Sequence, residues 1–490
     1  MCSSYILALD IGSSSVRAAI YDLKGVPVPE MSIKIERSLV STRDGGAEID
    51  ADLAVCQVAE AIDLLMAVGK DMDGNIDYVA ASCFWHSLVG IDANGHPTTK
   101  VFGWADTRSR KYVDRLNKKF DGSDVHNRTG ARFHSSYWPA KLLWLRHENR
   151  AVFDRTAKWL SFCDYLALCL FGIPATSVSM ASGTGIFNTR PCKWDAEMIR
   201  FLGVRADQLP LIVASDSTTF QIAGKYKRRW PRLKSAKWFP AIGDGAADNI
   251  GSGCTTKDSC VLMVGTSGAM RVEHAGEPPS KIPPGLWCYR LDRRRVVVGG
   301  ALSDGGGLYR WSEDRLKLPD DAEEQISARD PAGHGLTFLP FLAGERSTGY
   351  HGDATGAVLG LRTSTDTVDI LQAAMESVAY RFAEIFDQLN DVFRIRRIIA
   401  SGGALRDSPV WTQMIADVLG RDLTLSSALE SSSHGAVLLA LESIGKIRNI
   451  VSRKTPVSKT VRHRPKITAV YRLAGKQHHA AYESILNNNP

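Results

Sequence analysis

One unit constrains this chain more than any other: an apolar strand, a turn of glycine and hydroxyl residues, and a returning strand, present once in each half. In the first half Tyr5 to Asp10 runs apolar into a carboxylate, Ile11-Gly12-Ser13-Ser14-Ser15 is the turn, and Val16 to Asp22 returns, with Lys24-Gly25 closing a hairpin. In the second half Cys260 to Val264, Gly265-Thr266-Ser267-Gly268 and Ala269 to Val272 repeat the pattern. Short β-rich runs bounded by Gly and Ser read as strands. Further strands are predicted over 78–83, 239–243 and 397–400, and helices over 51–70, 141–146, 161–171, 246–250, 370–389 and 410–419. Strands alternating with helices predict an α/β fold in both halves. A length of 490 residues suits two large domains. The break is expected just after the 246–250 helix, around 251–258.

Turns of this kind suit phosphate, because backbone N–H groups can converge on one oxygen cluster with no side chain in the way. Each turn alone reads as a plain hairpin. With Ser401-Gly402-Gly403-Ala404 there are three at strand ends, and Arg17 and Asp10 flank the first. A cation there can meet phosphate, and a carboxylate can hold Mg²⁺ through water. The net charge of +7 is mild and dispersed, which argues against a nucleic-acid partner. Two runs without acids, 225–237 with seven Lys or Arg and 446–476 with ten, read as a solvated loop and a solvated tail bearing a helix. An anion-attracting surface is the alternative. Nine scattered cysteines without a CxxC pair predict reduced thiols. The start Met1-Cys2-Ser3-Ser4-Tyr5 has no basic leader region, and no window approaches the ~20 apolar residues of a membrane span. A cytoplasmic protein with no membrane partner is expected.

Asp10-Ile11-Gly12-Ser13-Ser14-Ser15-Val16-Arg17 is similar to the first phosphate motif of the FGGY carbohydrate kinase family, with Ser13 where Thr is usual. Gly265-Thr266-Ser267-Gly268 resembles its second phosphate motif, and Ser401-Gly402-Gly403-Ala404 its adenosine motif. Gly356 to Leu361 and Asp369 to Glu376 resemble its C-terminal signature. The resemblance spans roughly residues 5–445 in order. It implies two actin-like/ribonuclease-H-like ATPase domains with a cleft between them: a sugar-binding domain over 1–253 and a nucleotide-binding domain over 254–490. It implies ATP and Mg²⁺ as cofactors. The expected ATP ligands are Gly12, Ser13, Ser14, Ser15, Arg17, Gly265, Thr266, Gly306, Gly402, Gly403 and Ala404, and Asp10 is expected in the metal shell. On its own Gly243-Asp244-Gly245 is an ordinary turn. The family's catalytic base sits at this place, so the resemblance implies that role for Asp244.

Within the family, Trp85 to Asp92, Trp104 to Ser109, Phe341 to Arg346 and Glu430 to Ala436 look most like gluconokinases. Phe84-Trp85 departs from the usual pair before the His, Trp138 stands where Pro is usual, and Ser303-Asp304 stands where two Asn are common. Trp85, His86, Trp104, Asp106, Arg108 and His134 are the expected sugar contacts. Read without the resemblance, they are a core His with its Trp and a turn with a local ion pair. Arg108, His86 and His134 offer donors to a sugar carboxylate, a task that bidentate Arg serves best. Trp85 and Trp138 would narrow the pocket or add stacking faces. Lys141 reads as structural, and Glu345-Arg346 as an ion pair between the domains. The implied reaction is D-gluconate to 6-phosphogluconate. The alternatives are a xylulokinase or ribulokinase and, from another class, a non-catalytic actin-like sensor. A homodimer is compatible with all of these.

Overall fold

The repeated unit builds two sheets of matching order in the computed structural model, which describes residues 3–428, 430–453 and 457–487. Met1-Cys2 and the 454–456 part of the second basic run lie outside the described residues. In the first half β1 (Ser4–Ile11) forms a hairpin with β2 (Ser15–Asp22), which pairs with β3 (Pro27–Glu36). On its other side β1 lies parallel to β4 (Asn75–Cys83), and β4 is flanked by β5 (Lys237–Trp238) and β6 (Ile242–Gly243). In the second half β7 (Ser259–Val264) forms a hairpin with β8 (Gly268–Ala275). Next to β8 come β10 (Arg295–Leu302) and then β9 (Trp287–Arg290). On the far side β7 is parallel to β11 (Arg397–Ser401), followed by β12 (Leu423–Ser426) and β13 (Val457–Val461).

The helices cover these sheets. Helix α1 (Ala51–Val68) starts at Asp50, whose side chain accepts from Leu53 N–H, and buries Ala54, Val58, Ile62 and Leu65 on one stripe. Helix α2 (Trp138–Glu148) and α3 (Phe162–Phe171) match the expected segments, and α4 (Val178–Ser182) follows them. The strand expected over 239–243 is instead the two pieces β5 and β6, since Pro240 has no N–H for the ladder. The helix expected from Ala246 begins at Asp244 itself, as α5 (Asp244–Gly251). In the second half α6 (Gly306–Arg315), α7 (Thr367–Phe393), α8 (Gly403–Asp407) and α9 (Pro409–Leu419) pack on the sheet.

Helix α10 (Ser431–Ser443) crosses back. Its Ala436 to Leu441 belong to the core under the first sheet, packed with Ala246, Ala247 and Ile250 of α5. The crossing is close because Gly251 and Gly435 carry no Cβ. A methyl on Gly435 would overlap the Ala247 carbonyl.

The described residues of both basic runs include more buried side chains than a solvated loop and tail imply. Segment 225–237 turns Tyr226, Trp230, Leu233 and Ala236 into the first core, while Arg232 donates to the Met72 and Gly74 carbonyls (2.9 and 3.0 Å). The last helix, α11 (Pro465–Tyr482), buries Thr468, Tyr471, His478 and Tyr482. In both runs the apolar residues at helical spacing decide, and the charges occupy the outer face. Among the described residues no helix is long and apolar enough to cross a membrane, and the described cysteines are free.

Candidate active site

The strand register brings the candidate acids together. Asp10, near the end of β1, sits beside Arg17 across the hairpin and beside Ser82 of β4. Ser82 Oγ donates to Asp10 Oδ1 at 2.7 Å, and Arg17 Nη1 approaches Oδ2 at 3.4 Å. Ile242 and Gly243 pair with Ser82 and Cys83, so Asp244 leaves its strand at the same edge. Asp244 is the first residue of α5 and half-buried, with its Oδ1 accepting from Gly245 N–H (2.8 Å). Burial pushes its carboxyl up to about 6; the Arg271 guanidinium opposes this, and the charges of Asp10 and Asp248 add to it. Burial raises Asp10 as well, against the Ser82 and Arg17 contacts. One turn along α5, Asp248 is engaged on both oxygens, by Arg271 and by Ser431 Oγ. Asp244 is therefore the carboxylate of α5 without an ion pair among the described residues.

Trp85 fixes this helix start. Its ring lies against Gly183, Gly243 and Gly245; a Cβ on Gly183 or Gly245 would stand 2.6 or 2.8 Å from it. Its Nε1–H donates to the Ser179 carbonyl at 3.0 Å, and Ser179 Oγ accepts from Gly243 N–H at 3.0 Å. His86 adopts φ 68°, an unusual conformation for a non-glycine residue and one met at ligand sites. Its Nδ1–H donates to the Gly183 carbonyl (2.6 Å), which leaves Nε2 as an acceptor, and burial holds the ring neutral. Tyr137 and Tyr289 meet the His86 ring edge-on at 5.0 and 5.6 Å. His134 accepts from Ser136 N–H at Nδ1 (3.1 Å). Its Nε2 makes no hydrogen bond of good geometry, with the Glu345 carbonyl close by. Burial, aided by Arg346, lowers His134 to about 3. Trp104 is half-exposed, and its carbonyl accepts from Ser136 Oγ (2.7 Å).

Lys141, buried at 1 % exposure, binds the carbonyls of His86 (3.0 Å), Gly103 (2.7 Å) and Ser136 (2.8 Å). It ties the three segments bearing His86, Trp104 and His134 into one surface. Three expectations are corrected here. Asp106 is 1 % exposed and Arg108 is clamped by Asp106 and by Glu48 (2.7 Å), over the rings of Phe102 and Trp144. They satisfy each other and offer nothing to a ligand. Trp138 is fully buried, donates to the Ser87 carbonyl (2.7 Å) and stacks on Trp194 in the core, so it does not narrow a pocket. Glu345 does not pair with Arg346; it pairs with Arg381 and accepts from Tyr482 OH.

The glycine turns of the second half converge. Gly306 N–H donates to the Gly265 carbonyl (2.8 Å), and Gly305 and Gly307 N–H to the Thr266 carbonyl (3.1 and 2.8 Å). Gly402 has φ 103° and leaves no room for a Cβ against the Val264 carbonyl. Beside them opens a cavity of about 630 Å³. Of the expected ATP ligands, Arg17, Gly265, Thr266, Gly306, Gly403 and Ala404 line it; Gly12, Ser13, Ser14, Ser15 and Gly402 do not. Ser14 is exposed at the first turn, and Ser15 is buried at the start of β2. The sequence reading missed Tyr309, Arg310, Arg406 and Trp411 on the lining. Tyr309 and Trp411 stack at 5.9 Å, a pairing of residues 102 positions apart that no local motif signals.

Models of known families match both halves. Residues 5–236 match the N-terminal domain, and residues 260–443 the C-terminal domain, of the FGGY family of carbohydrate kinases. The chain is 28% identical over 480 residues to a gluconokinase of Bacillus subtilis (strain 168), covering 94% of this chain and 92% of that protein. It superposes on a gluconate kinase from Lactobacillus acidophilus with a TM-score of 0.90 at 26% identity, covering 99% and 98% of the two chains. A ligand-bound xylulose kinase from the same organism gives a TM-score of 0.90 at 26% identity, covering 99% of each chain.

Proposed function

This chain belongs to the FGGY family of carbohydrate kinases, and we propose that it transfers the γ-phosphoryl group of ATP to a hydroxyl of D-gluconate, giving 6-phosphogluconate. The observation that carries the proposal is Asp244: a carboxylate half-buried at the head of α5, raised to about 6, at the sheet edge shared with Asp10. Such a group is ionised at neutral pH and basic enough to take a hydroxyl proton. In the proposed step the sugar O–H proton passes to Asp244 as the oxygen bonds to the γ-phosphorus. The bond from that phosphorus to the β–γ bridging oxygen breaks, and ADP leaves.

The nucleotide occupies the cavity beside Thr266, with its phosphates toward Arg17 and the turn amides. Asp10 and Asp244 fit a Mg²⁺ ion, since the charges of Asp10 and Asp248 add to the rise of Asp244 and that of Asp248 to the rise of Asp10, with arginines the only opposing charges. Mg²⁺ is held by one or two carboxylates with phosphates and water rather than by a protein cage, and among the described residues no cluster of three or more ligating side chains occurs. When bound, the ion neutralises phosphate charge. We assign sugar binding to 1–253 and nucleotide binding to 254–490, with α10 crossing between them. Trp85, His86, Trp104 and His134 are the proposed sugar contacts.

Gluconate is supported by the gluconokinase relatives. A xylulokinase is the second reading, favoured by the equal likeness to a xylulose kinase structure. A comparison of kcat/KM for gluconate, xylulose, ribulose and glycerol tests them. Gluconate is expected to lead; a neutral substrate ahead by more than about tenfold, or ~1.4 kcal/mol, overturns gluconate and leaves the kinase. The nucleotide assignment predicts that Thr266→Val raises the KM for ATP by about tenfold, more than the KM for sugar. Unchanged ATP kinetics and unchanged calorimetric affinity would reduce the Gly265–Gly268 turn to a plain hairpin.

A further inference from the structure

We propose that Arg346 is the specificity-determining cation of the sugar site, receiving the carboxylate of an aldonate, and that the buried Glu345–Arg381–Tyr482 cluster positions it. This deepens the gluconate reading and rests on it.

Arg346 is half-exposed, and among the described residues it forms no ion pair. Of the arginines on this side, Arg108 is committed to Asp106 and Glu48 and Arg381 to Glu345 and Glu384, while Arg132 lies over the Tyr350 ring and donates to the Pro284 carbonyl (3.1 Å). Of the nearby acids, Asp106 is committed to Arg108 and Glu345 to Arg381 and Tyr482, while Asp304, on the lining of the same small cavity as Arg346, accepts from Ala343 N–H (3.1 Å) and forms no ion pair with Arg346. What surrounds its guanidinium is the proposed sugar surface. One Nη donates toward the free lone pair of His86 Nε2 at 3.5 Å, and the plane lies 5.4 Å from the centre of the Trp104 ring. Its charge reaches His86, His134, Tyr137 and Lys141, none of which carries a compensating negative charge at neutral pH. The result is a planar fork of N–H donors with no anion, beside neutral histidines. A carboxylate is the anion whose geometry matches that fork. Phosphate of the nucleotide is served elsewhere, since Arg346 does not line the cavity beside Thr266.

The loop carrying Arg346 comes from the second half of the chain and reaches the first. Gly352 lies against His134, where an added Cβ would stand 3.2 Å from Nε2. Behind the loop, Glu345 accepts from the N–H groups of Gly349 (3.0 Å) and His351 (3.3 Å) and from Tyr482 OH (3.0 Å), and pairs with Arg381. All three anchoring side chains are buried, and Arg381 also faces the Tyr482 ring at 4.5 Å. A long arginine on a loop gains precision when its neighbour is locked in this way.

The test is steady-state kinetics of wild type, Arg346→Gln, Arg346→Lys and Tyr482→Phe. The substrates are D-gluconate and D-glucitol, the latter the same six-carbon chain with CH₂OH in place of the carboxylate. Arg346→Gln should raise the gluconate KM roughly 30- to 100-fold, with kcat moved much less. It should cut the preference for gluconate over glucitol at least tenfold, and Arg346→Lys should recover part of it. Tyr482→Phe should raise the gluconate KM about fivefold without raising the KM for ATP. If Arg346→Gln keeps the wild-type preference, or loses both substrates equally, the assignment is wrong while gluconate stands. Equal changes in both KM values for Tyr482→Phe overturn the positioning role. If wild type itself favours a neutral sugar, the gluconate reading falls and this assignment with it, and the wild-type data alone reveal that case.

Discussion

Asp244→Asn should lower turnover by at least ~100-fold and leave ATP affinity nearly intact, because general-base catalysis contributes roughly 10²–10⁴. The substitution is close to isosteric, and the Gly245 N–H that the side chain accepts can be met by an amide oxygen. It also removes one of three mutually repelling carboxylates, so the fold should hold. The pH profile gives an independent reading. Asp244 must be ionised to act, and its carboxyl is raised to about 6 by burial and by Asp10 and Asp248, against Arg271. Wild-type kcat/KM should therefore rise with pH up to about 6 and be flat above it, and the Asn variant should lack that limb. A purified variant with turnover near wild type would remove Asp244 from the chemistry. A limb that survives in the variant would assign it to another group.

The second large effect is expected where α10 crosses α5, at a residue that is not itself a proposed ligand contact. Gly435→Ala places a methyl onto the Ala247 carbonyl and within 2.9 Å of the Gly251 nitrogen. Both obstacles are helix backbone, so relief requires α5 and α10 to separate. Overpacking typically costs ~1–3 kcal/mol, and a rigid backbone obstacle belongs at or above the top of that range. Because α5 begins at Asp244 and α10 supplies Ser431 to Asp248, turnover should fall along with thermal stability. Gly224→Ala is the control, since nothing lies within 4 Å of a Cβ there. Equal melting temperatures for the two variants would show that the crossing tolerates a side chain.

The parts legible in the sequence were those written locally. Both hairpin units, the parallel strands 78–83 and 397–400 and the long helix over 370–389 follow from apolar runs and Gly/Ser turns, and the sheets bear them out. The helix of the tail was legible, but its buried face was not, because Thr468, Tyr471, His478 and Tyr482 lie at helical spacing among basic residues whose charge dominates composition. Arg108 was misread because its partner Glu48 stands 60 residues away, on an element nothing in the sequence couples to it. Long-range partners hid Arg346 too: Glu345 beside it suggested an ion pair between the domains, and only the fold reveals that Arg381 and Tyr482, 36 and 137 residues away, claim that glutamate. A residue's chemistry could be read from its identity, but its availability depended on partners brought in by tertiary structure.

The most direct test of the account is ³¹P NMR of the purified protein incubated with ATP, Mg²⁺ and D-gluconate. The account predicts ADP and a phosphate monoester on the gluconate chain in equal amounts, with little inorganic phosphate, and neither product in quantity from Asp244→Asn. ADP with inorganic phosphate alone, or no consumption of ATP with any sugar or sugar acid supplied, would contradict it.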